Sequence, residues 1–314
     1  MKARLFLVAG ALLMSCAVVR DRRIAELERR LEQRDREIAE LRRRLPAEPA
    51  GRPDADEPLP TDDVDEMTRA LEIALVRQGG TVLGRWVVQV EPELAYTYSE
   101  RDRPRRDTFT SSLTVRAGLP GSLQADIYVP YVLYDRRSGA ESSSDIGDIS
   151  LGLTKRLVAE TESVPELLVS GRWKTRSGNS SRDLQTGTGA DALQAAITAV
   201  KTKEPIVLFA SPAYTAHLSA DDIDYGDTVG AKLGVFLAAT PDTSLLLDVD
   251  VNSSFATRVG GFEIGDSDRL SGVVELGLAT ILRRTTLLNV TAGIGFTDSA
   301  PDFRLATSLP ITRY

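Results

Sequence analysis

The sequence predicts an all-β protein: a closed, antiparallel transmembrane β-barrel of about twelve strands over residues 84–314, preceded by an N-terminal α-helical coiled coil. Three observations predict the barrel. Apolar and polar residues alternate along about a dozen stretches, charged residues lie in the middle of the polar faces, and the gaps between stretches alternate in length. Because successive side chains of a strand point to opposite faces, every stretch has one apolar face and one polar face.

The composition of the two faces favours a barrel over a soluble β-sandwich. A sandwich fills its apolar inner face with bulky residues, whereas the apolar face here also carries small residues such as Ala125, Ala231 and Gly272. Lipid chains conform to small residues, but a protein core would be left with voids. We therefore expect the mid-strand charges to line a lumen, and these are Arg116, Asp126, Arg172, Lys174, Arg176, Lys232, Asp248, Asp250, Glu275 and Arg304.

The gaps predict how the strands are connected. We expect strands at about 86–98, 108–118, 122–134, 147–156, 166–175, 188–200, 206–218, 228–239, 243–255, 268–282, 286–296 and 302–313. Long polar loops mostly alternate with tight turns, as in outer-membrane barrels, whose short turns face the periplasm. An even number of strands returns both ends of the barrel to that side. Two gaps, 157–165 and 297–301, break the rule, and about ten strands fit nearly as well as twelve.

The first sixteen residues, 1–16, are typical of an export signal. A basic start precedes an apolar run, Leu5–Met14, which is too short for a membrane span of about twenty residues. A lipobox-like sequence follows and ends at Cys16, the single cysteine of the chain. We predict that Cys16 is lipidated, and cleavage of a conventional signal near Ala17 is the alternative.

Residues 20–45 predict a coiled coil. Seven positions recur at alternating spacings of three and four residues, the core pattern of three heptads, and one of them is an arginine. The core positions are Ile24, Leu27, Leu31, Arg34, Ile38, Leu41 and Leu45. Attractive charge pairs between neighbouring parallel helices favour a homo-oligomer through residues 24–45. A single solvated helix is the alternative, and the oligomer number is left open.

Two segments connect the coiled coil to the barrel. Residues 46–61 contain five prolines and few apolar residues, which predicts an extended linker. Residues 62–80 predict a short amphipathic helix that begins with acidic residues and ends at two glycines. Because this helix directly precedes the first strand, we expect it at the periplasmic mouth, where it either partly plugs the barrel or lies on the rim.

Composition argues against several functions. The formal net charge of −7 argues against nucleic acid as a partner, and the basic residues of the coiled coil are interleaved with acidic ones. A Ser-His-acid hydrolase would need the single histidine, His217, beside a serine and a carboxylate, and neighbours on one strand do not make that geometry. We therefore predict no enzymatic activity and no cofactor. We also predict no bound metal, because the acidic residues that follow His217 are typical of a solvated loop.

Four stretches of the barrel resemble a known family. They are Val90–Tyr98, Ala125–Tyr131, Gly147–Gly152 and the end from Asp302 to Tyr314. Over roughly residues 80–314 the chain resembles bacterial outer-membrane proteins identified as transporters of the meta-cleavage pathway of phenol degradation. The resemblance implies an outer-membrane barrel that passes small solutes, aromatic or hydrophobic ones among them. The last strand departs from the usual pattern, and a bulge near Pro310 would return Tyr314 to the lipid face.

Two functions are consistent with these features. The first is a passive outer-membrane channel for small solutes, surrounded by lipid, with its N-terminal segment in the periplasm. Its opposed lumen charges either select solutes by charge and dipole or form salt bridges that fill a closed lumen. The second is an envelope-organising lipoprotein whose barrel is an anchor and whose coiled coil oligomerises or binds a periplasmic partner.

Overall fold

The computed structural model describes residues 81–100, 106–136, 143–179, 186–219, 223–240, 242–265, 267–283 and 285–313. The predicted signal segment, coiled coil, linker and amphipathic helix lie outside these residues. Across the described ranges, no helix combines the length and the hydropathy that a membrane crossing requires.

The described residues form seventeen strands. The first nine are β1 (Val88–Ser99), β2 (Arg106–Leu119), β3 (Leu123–Arg136), β4 (Ser143–Ile146), β5 (Ser150–Val158), β6 (Glu166–Lys174), β7 (Ala192–Lys203), β8 (Ile206–His217) and β9 (Ile223–Asp224). The others are β10 (Thr228–Thr240), β11 (Thr243–Ser254), β12 (Arg258–Val259), β13 (Phe262–Glu263), β14 (Arg269–Arg283), β15 (Thr286–Gly295), β16 (Phe303–Ser308) and β17 (Ile311–Arg313).

Fourteen of these strands form one closed antiparallel sheet. Both β4 and β5 pair with β3, and both β16 and β17 pair with β1 and β15, so each of these couples is one interrupted strand of the wall. The other wall strands pair with their neighbours along the chain, and the pairing of β16 with β1 closes the ring. The wall therefore has twelve strands, which confirms the predicted barrel. The short strands β9, β12 and β13 form a separate small sheet in the loops.

Connections differ in length between the two ends of the barrel. One end, here the turn end, carries the short connections that follow Leu119, Lys203, Thr240 and Arg283, and the other, the loop end, carries most of the longer loops. The long turn at 159–165 is tied to the end of β7, because the N–H of Thr202 donates a hydrogen bond of 2.8 Å to Glu160. Burial raises the pKa of Glu160, but hydrogen bonds from Thr202 and Lys201 outweigh it and leave that pKa below its ordinary value.

Side chains alternate between the outer and inner surfaces of the wall. The outer surface is apolar, and Leu113, Leu233 and Leu276 are 43%, 57% and 62% exposed there. The inner surface is largely polar, with Gln89 and Asp248 only 0% and 2% exposed. A soluble sandwich has the reverse polarity, so this arrangement excludes that alternative.

The predicted bulge near Pro310 is wrong. Glu93 of β1 pairs with Ser308, and Val90 pairs with Ile311, so both strands advance equally across the interruption and the register does not shift. The strand is interrupted because proline has no N–H to donate to the ladder. The outward and inward alternation therefore continues unchanged from β16 into β17.

Candidate functional site in the barrel interior

An apolar floor fills most of the turn end of the lumen. It consists of inward-facing residues of seven wall strands: Leu168, Val200, Val207, Phe209, Phe236, Leu246, Ala279 and Leu287. The rings of Phe209 and Phe236 have centroids 5.6 Å apart and are tilted by 37°, which is a favourable aromatic arrangement. All eight residues are at most 7% exposed, so the apolar floor excludes water from this part of the lumen.

The residues just before β1 pack against the apolar floor from inside the barrel. Val82 contacts the floor, and the backbone N–H of Leu83 donates a hydrogen bond of 3.0 Å to the side-chain oxygen of Gln124. The carbonyl group of Gly84 lies so close to β2 that a Cβ at position 118 would overlap it, so only glycine fits at Gly118. These contacts hold segment 81–84 in the turn end of the lumen.

A tight turn then joins this segment to the wall. The N–H of Val87 donates a hydrogen bond of 3.1 Å to the carbonyl of Gly84. Trp86 has a φ of 66°, in the left-handed region that residues other than glycine rarely adopt. Its indole ring is exposed, and the guanidinium of Arg85 lies 5.5 Å from the ring centroid, a cation–π distance.

Buried polar side chains fill the remaining part of the turn end. Arg116 of β2 forms an ion pair with Glu91 of β1 and donates a hydrogen bond of 3.0 Å to Gln89. Gln89 in turn donates a hydrogen bond of 3.3 Å to Thr312 of β17. Because a buried charge that loses its partner is strongly destabilising, these residues stabilise the barrel only as a complete network.

Two further ion pairs lie above the apolar floor. Arg172 Nη2 of β6 lies 3.1 Å from Asp126 Oδ2 of β3, and the pair reaches across β5 at Gly152. Further round the wall, Lys232 Nζ of β10 lies 3.4 Å from Asp248 Oδ2 of β11. Opposite charges thus meet across the inner surface of the wall rather than standing apart.

Lys174 and Arg304 lie nearer the loop end. Lys174 Nζ lies 3.5 Å from Asp148 Oδ2 and donates a hydrogen bond of 2.8 Å to Thr188. Arg304 Nη2 lies 3.9 Å from Glu93 Oε1, at the limit of an ion pair. Both predicted cations therefore face carboxylates of neighbouring strands or loops.

The position of Arg176 differs from that of the other predicted lumen charges. It lies beyond the end of β6, its side chain is 62% exposed, and its Nε lies 3.9 Å from Asp191 Oδ2. Beyond β6 the loop is held by Asp148, which accepts a hydrogen bond of 3.0 Å from the N–H of Gly178. The strand period could not reveal this contact, since Asp148 belongs to another loop.

Cavities remain between these charged groups. One of about 270 Å³ is lined by Arg116, Asp126, Arg172 and Lys232 among others, and one of about 370 Å³ by Lys232, Asp248, Asp250, Glu275 and Arg304 among others. A third, of about 280 Å³, lies nearer the loop end beside Lys174 and His217. Nine of the ten predicted lumen charges line these three cavities, so the interior has room for small molecules between charges of both signs.

His217 lies at the loop end of β8 and faces a backbone carbonyl. Its Nδ1 lies 3.0 Å from the carbonyl oxygen of Gly226, while the hydroxyl of Ser211 is 2.9 Å from that of Thr198. The imidazole is therefore hydrogen-bonded to a backbone carbonyl and the Ser211 hydroxyl to Thr198, rather than to each other. In the described part of the chain, no three His, Cys, Asp or Glu side chains are grouped so that they could hold a metal ion.

The apolar floor and the position of segment 81–84 were not predicted from the sequence. A signal for the floor exists, because several strands carry consecutive apolar residues where they approach the turn end, as in Ile206–Phe209, Val235–Leu237 and Leu245–Leu247. In such runs both faces of the strand are apolar, so one set must point inward. No comparable sequence signal marks the entry of segment 81–84 into the lumen.

Gly152 provides a test of the Arg172–Asp126 ion pair. Replacing Gly152 by alanine is expected to lower the free energy of unfolding by about 1–3 kcal/mol, because the added Cβ would overlap the Asp126 carboxylate. Chemical unfolding of the folded protein measures this loss. Gly171→Ala is the matched control, since a Cβ there would meet no described atom within 4 Å. Equal losses in the two variants would contradict the close approach of Asp126 to Gly152.

A closed antiparallel barrel with an apolar outer surface and a charged interior is the architecture of outer-membrane β-barrel proteins. No family model matches the chain. An outer-membrane channel from Pseudomonas putida F1 has a similar fold, with a TM-score of 0.63 and 15% sequence identity over 74% of this chain and 97% of that one.

Two further solved structures align less well. The translocator domain of the autotransporter NalP from Neisseria meningitidis gives a TM-score of 0.48 at 11% identity, over 81% of this chain and 97% of that one. The KdgM porin gives 0.44 at 7% identity, over 72% of this chain and 99% of that one.

Proposed function

We propose that the chain is a bacterial outer-membrane β-barrel that allows passive passage of small solutes. The polarity of the wall carries the proposal: exposed leucines cover the outer surface, whereas ion pairs and cavities occupy the interior. A closed barrel also pairs the backbone groups of all its wall strands, which a structure surrounded by lipid requires. The fold shared with the Pseudomonas putida channel supports this function.

Exposed aromatic residues near the two ends of the wall support insertion into a membrane. Trp86 lies at the turn end, and Tyr131, Trp173 and Tyr214 lie towards the loop end, all of them exposed. Aromatic side chains are enriched where a barrel meets the two membrane interfaces.

The lumen would select solutes by size and charge. Both signs of charge face the cavities, so a solute there would experience a transverse field. Most of these cations already lie close to carboxylates, which weakens the field and narrows the passage. The resemblance to transporters of phenol degradation favours small aromatic or hydrophobic solutes, and the apolar floor offers such molecules an apolar surface inside the barrel.

The N-terminal segments complete the proposal, although they lie outside the described residues. Lipidation of Cys16 would anchor the N-terminus in the membrane, and residues 24–45 would form a periplasmic homo-oligomer. Residues 62–80 lead directly into segment 81–84, which lies in the turn end of the lumen. This connection supports a role for residues 62–80 in partly plugging the barrel.

Electrophoresis and conductance test the proposal. We expect the unboiled protein to migrate differently from the boiled protein, because a folded membrane barrel resists detergent, and discrete conductance steps in planar bilayers. Deleting residues 62–80 should raise the conductance of a single channel if they add to the plug. An identical mobility before and after boiling would contradict the barrel, and unchanged conductance after the deletion would contradict the plug.

The apolar floor favours a second candidate function. The floor, segment 81–84 and the Arg116 network together fill the turn end of the described lumen, as expected of a barrel that serves as an anchor. The protein would then be an envelope-organising lipoprotein, with its coiled coil binding a copy of itself or a periplasmic partner. Correctly folded protein that gives no conductance steps would favour this function over the channel.

A further inference from the structure

We propose that the lumen contains a binding site for an organic ammonium group, formed by Asp248, Asp250 and Glu275 around the cavity of about 370 Å³. In the proposed channel, this site would favour solutes that carry an ammonium group, and this preference rests on the proposed function. Binding itself requires only that the cavity can be reached from water.

The strand register brings the three carboxylates together. Asp248 of β11 lies directly opposite Glu275 of β14, and Asp250 follows two residues later on the same face of β11. Like charges at directly opposed positions of a sheet repel each other, so the ladder places Asp248 and Glu275 unfavourably, and Lys232, 3.4 Å from Asp248 Oδ2, offsets part of this repulsion. A positively charged ligand between them would remove this repulsion.

Asp248 is the central residue of the site. Its side chain is 2% exposed, and no described group donates a hydrogen bond to its Oδ2 atom. Lys232 Nζ lies 3.4 Å from this oxygen, which is longer than the charge-assisted hydrogen bonds of about 2.8 Å that such pairs usually form. A buried carboxylate oxygen without a hydrogen-bond donor lowers the stability of the fold, so a ligand that donates a hydrogen bond to Asp248 would remove this cost.

The balance of charge around the cavity is negative. Lys232 and Arg304 line it together with the three carboxylates, and Arg304 also lies 3.9 Å from a fourth carboxylate, Glu93. The protein's own cations are therefore fewer than the carboxylates they face. This imbalance favours an added positive charge over a bound anion.

The chemistry of the lining favours an ammonium group over a divalent metal ion. An ammonium group has three N–H donors, one for each of the three carboxylates that line the cavity, Asp248, Asp250 and Glu275. Calcium needs six to eight oxygen ligands, and Lys232 and Arg304 would repel a divalent ion more strongly than a monovalent one. A cavity of about 370 Å³ also leaves space for a small organic group attached to the nitrogen.

Calorimetric titration of the folded full-length protein in detergent tests the site, with ethylammonium chloride as the probe at constant ionic strength. We expect saturable binding that weakens about tenfold in Asp248→Asn and in Glu275→Gln, because each variant loses one charged acceptor. Asp126→Asn is the matched control, since Asp126 lies in the lumen but pairs with Arg172, and it should bind like the unaltered protein.

Several outcomes would overturn the proposal: no saturable heat, equal affinity in Asp248→Asn, or tighter binding of calcium chloride in the same assay. The shift of mobility on boiling shows which variants are folded, and if Asp248→Asn does not fold, Glu275→Gln decides the question. Discrete conductance steps without ethylammonium binding would refute this site and leave the channel function standing. Ethylammonium binding without conductance steps would support this site and refute the channel function.

Discussion

Replacing Leu233 by arginine should lower the free energy of unfolding of the membrane-inserted barrel by about 2–4 kcal/mol. Leu233 lies in the middle of β10, and its side chain is 57% exposed on the outer surface of the wall. If that surface faces lipid, the arginine must place its charge in hydrocarbon or distort the bilayer around it. Urea unfolding in lipid vesicles, followed by tryptophan fluorescence, measures the loss.

Asn252→Lys is the matched control for this substitution. Asn252 faces the lumen from the neighbouring strand, where it donates a hydrogen bond of 2.6 Å to Asp250. A lysine there adds the same charge beside a carboxylate and water, so we expect a change within about 1 kcal/mol. Substitutions at solvated surface positions usually change the free energy of unfolding by less than about 0.5 kcal/mol. A loss that small in Leu233→Arg would mean that the outer surface faces water, and it would exclude the membrane barrel.

The wall of the barrel could be predicted because the two-residue period fixes the face of every residue at once. Leu245 and Leu247 alternate with Asp248 and Asp250, and a single choice of which face meets lipid places all four. The chain then has no freedom to bring a lumen charge to the outer surface without a register shift. This is why the closed barrel was predicted without knowledge of any contact between side chains.

The depth of a residue in the lumen could not be predicted in the same way. Leu246 lies between Leu245 and Leu247, so alternation alone does not distinguish an inward leucine from an outward one. Leu246 becomes part of the apolar floor only because inward apolar residues of other strands meet it at the same level. That coincidence depends on the tilt and stagger of the whole barrel.

The partners in the ion pairs also could not be predicted from the sequence. Arg116 lies directly opposite Asp126 in the β2–β3 ladder, and the register by itself would pair them. Instead Arg116 pairs with Glu91, and Asp126 pairs with Arg172, which reaches it because Gly152 has no side chain in between. The choice depends on the reach of long side chains, which a one-dimensional pattern does not contain.

Replacing Phe236 by alanine should destabilise the barrel and open its lumen. Phe236 is 2% exposed in the apolar floor, and truncating a buried phenylalanine typically costs about 3–5 kcal/mol. The lost ring also leaves space beside Phe209, where the lumen is otherwise filled at the turn end. We therefore expect a lower unfolding free energy together with a larger single-channel conductance.

Leu237→Ala separates the effect of the floor from a general loss of stability. Leu237 adjoins Phe236 in the same strand, but it points outward and is 39% exposed, so its truncation removes apolar volume on the outer side of the wall. The single-channel conductance of Leu237→Ala should equal that of the unaltered protein. A rise confined to Phe236→Ala would place the resistance of the lumen at the apolar floor, because only that variant changes the cross-section of the passage. Equal conductance in both variants would mean that the ion pairs above the floor limit the current and that the floor only stabilises the barrel.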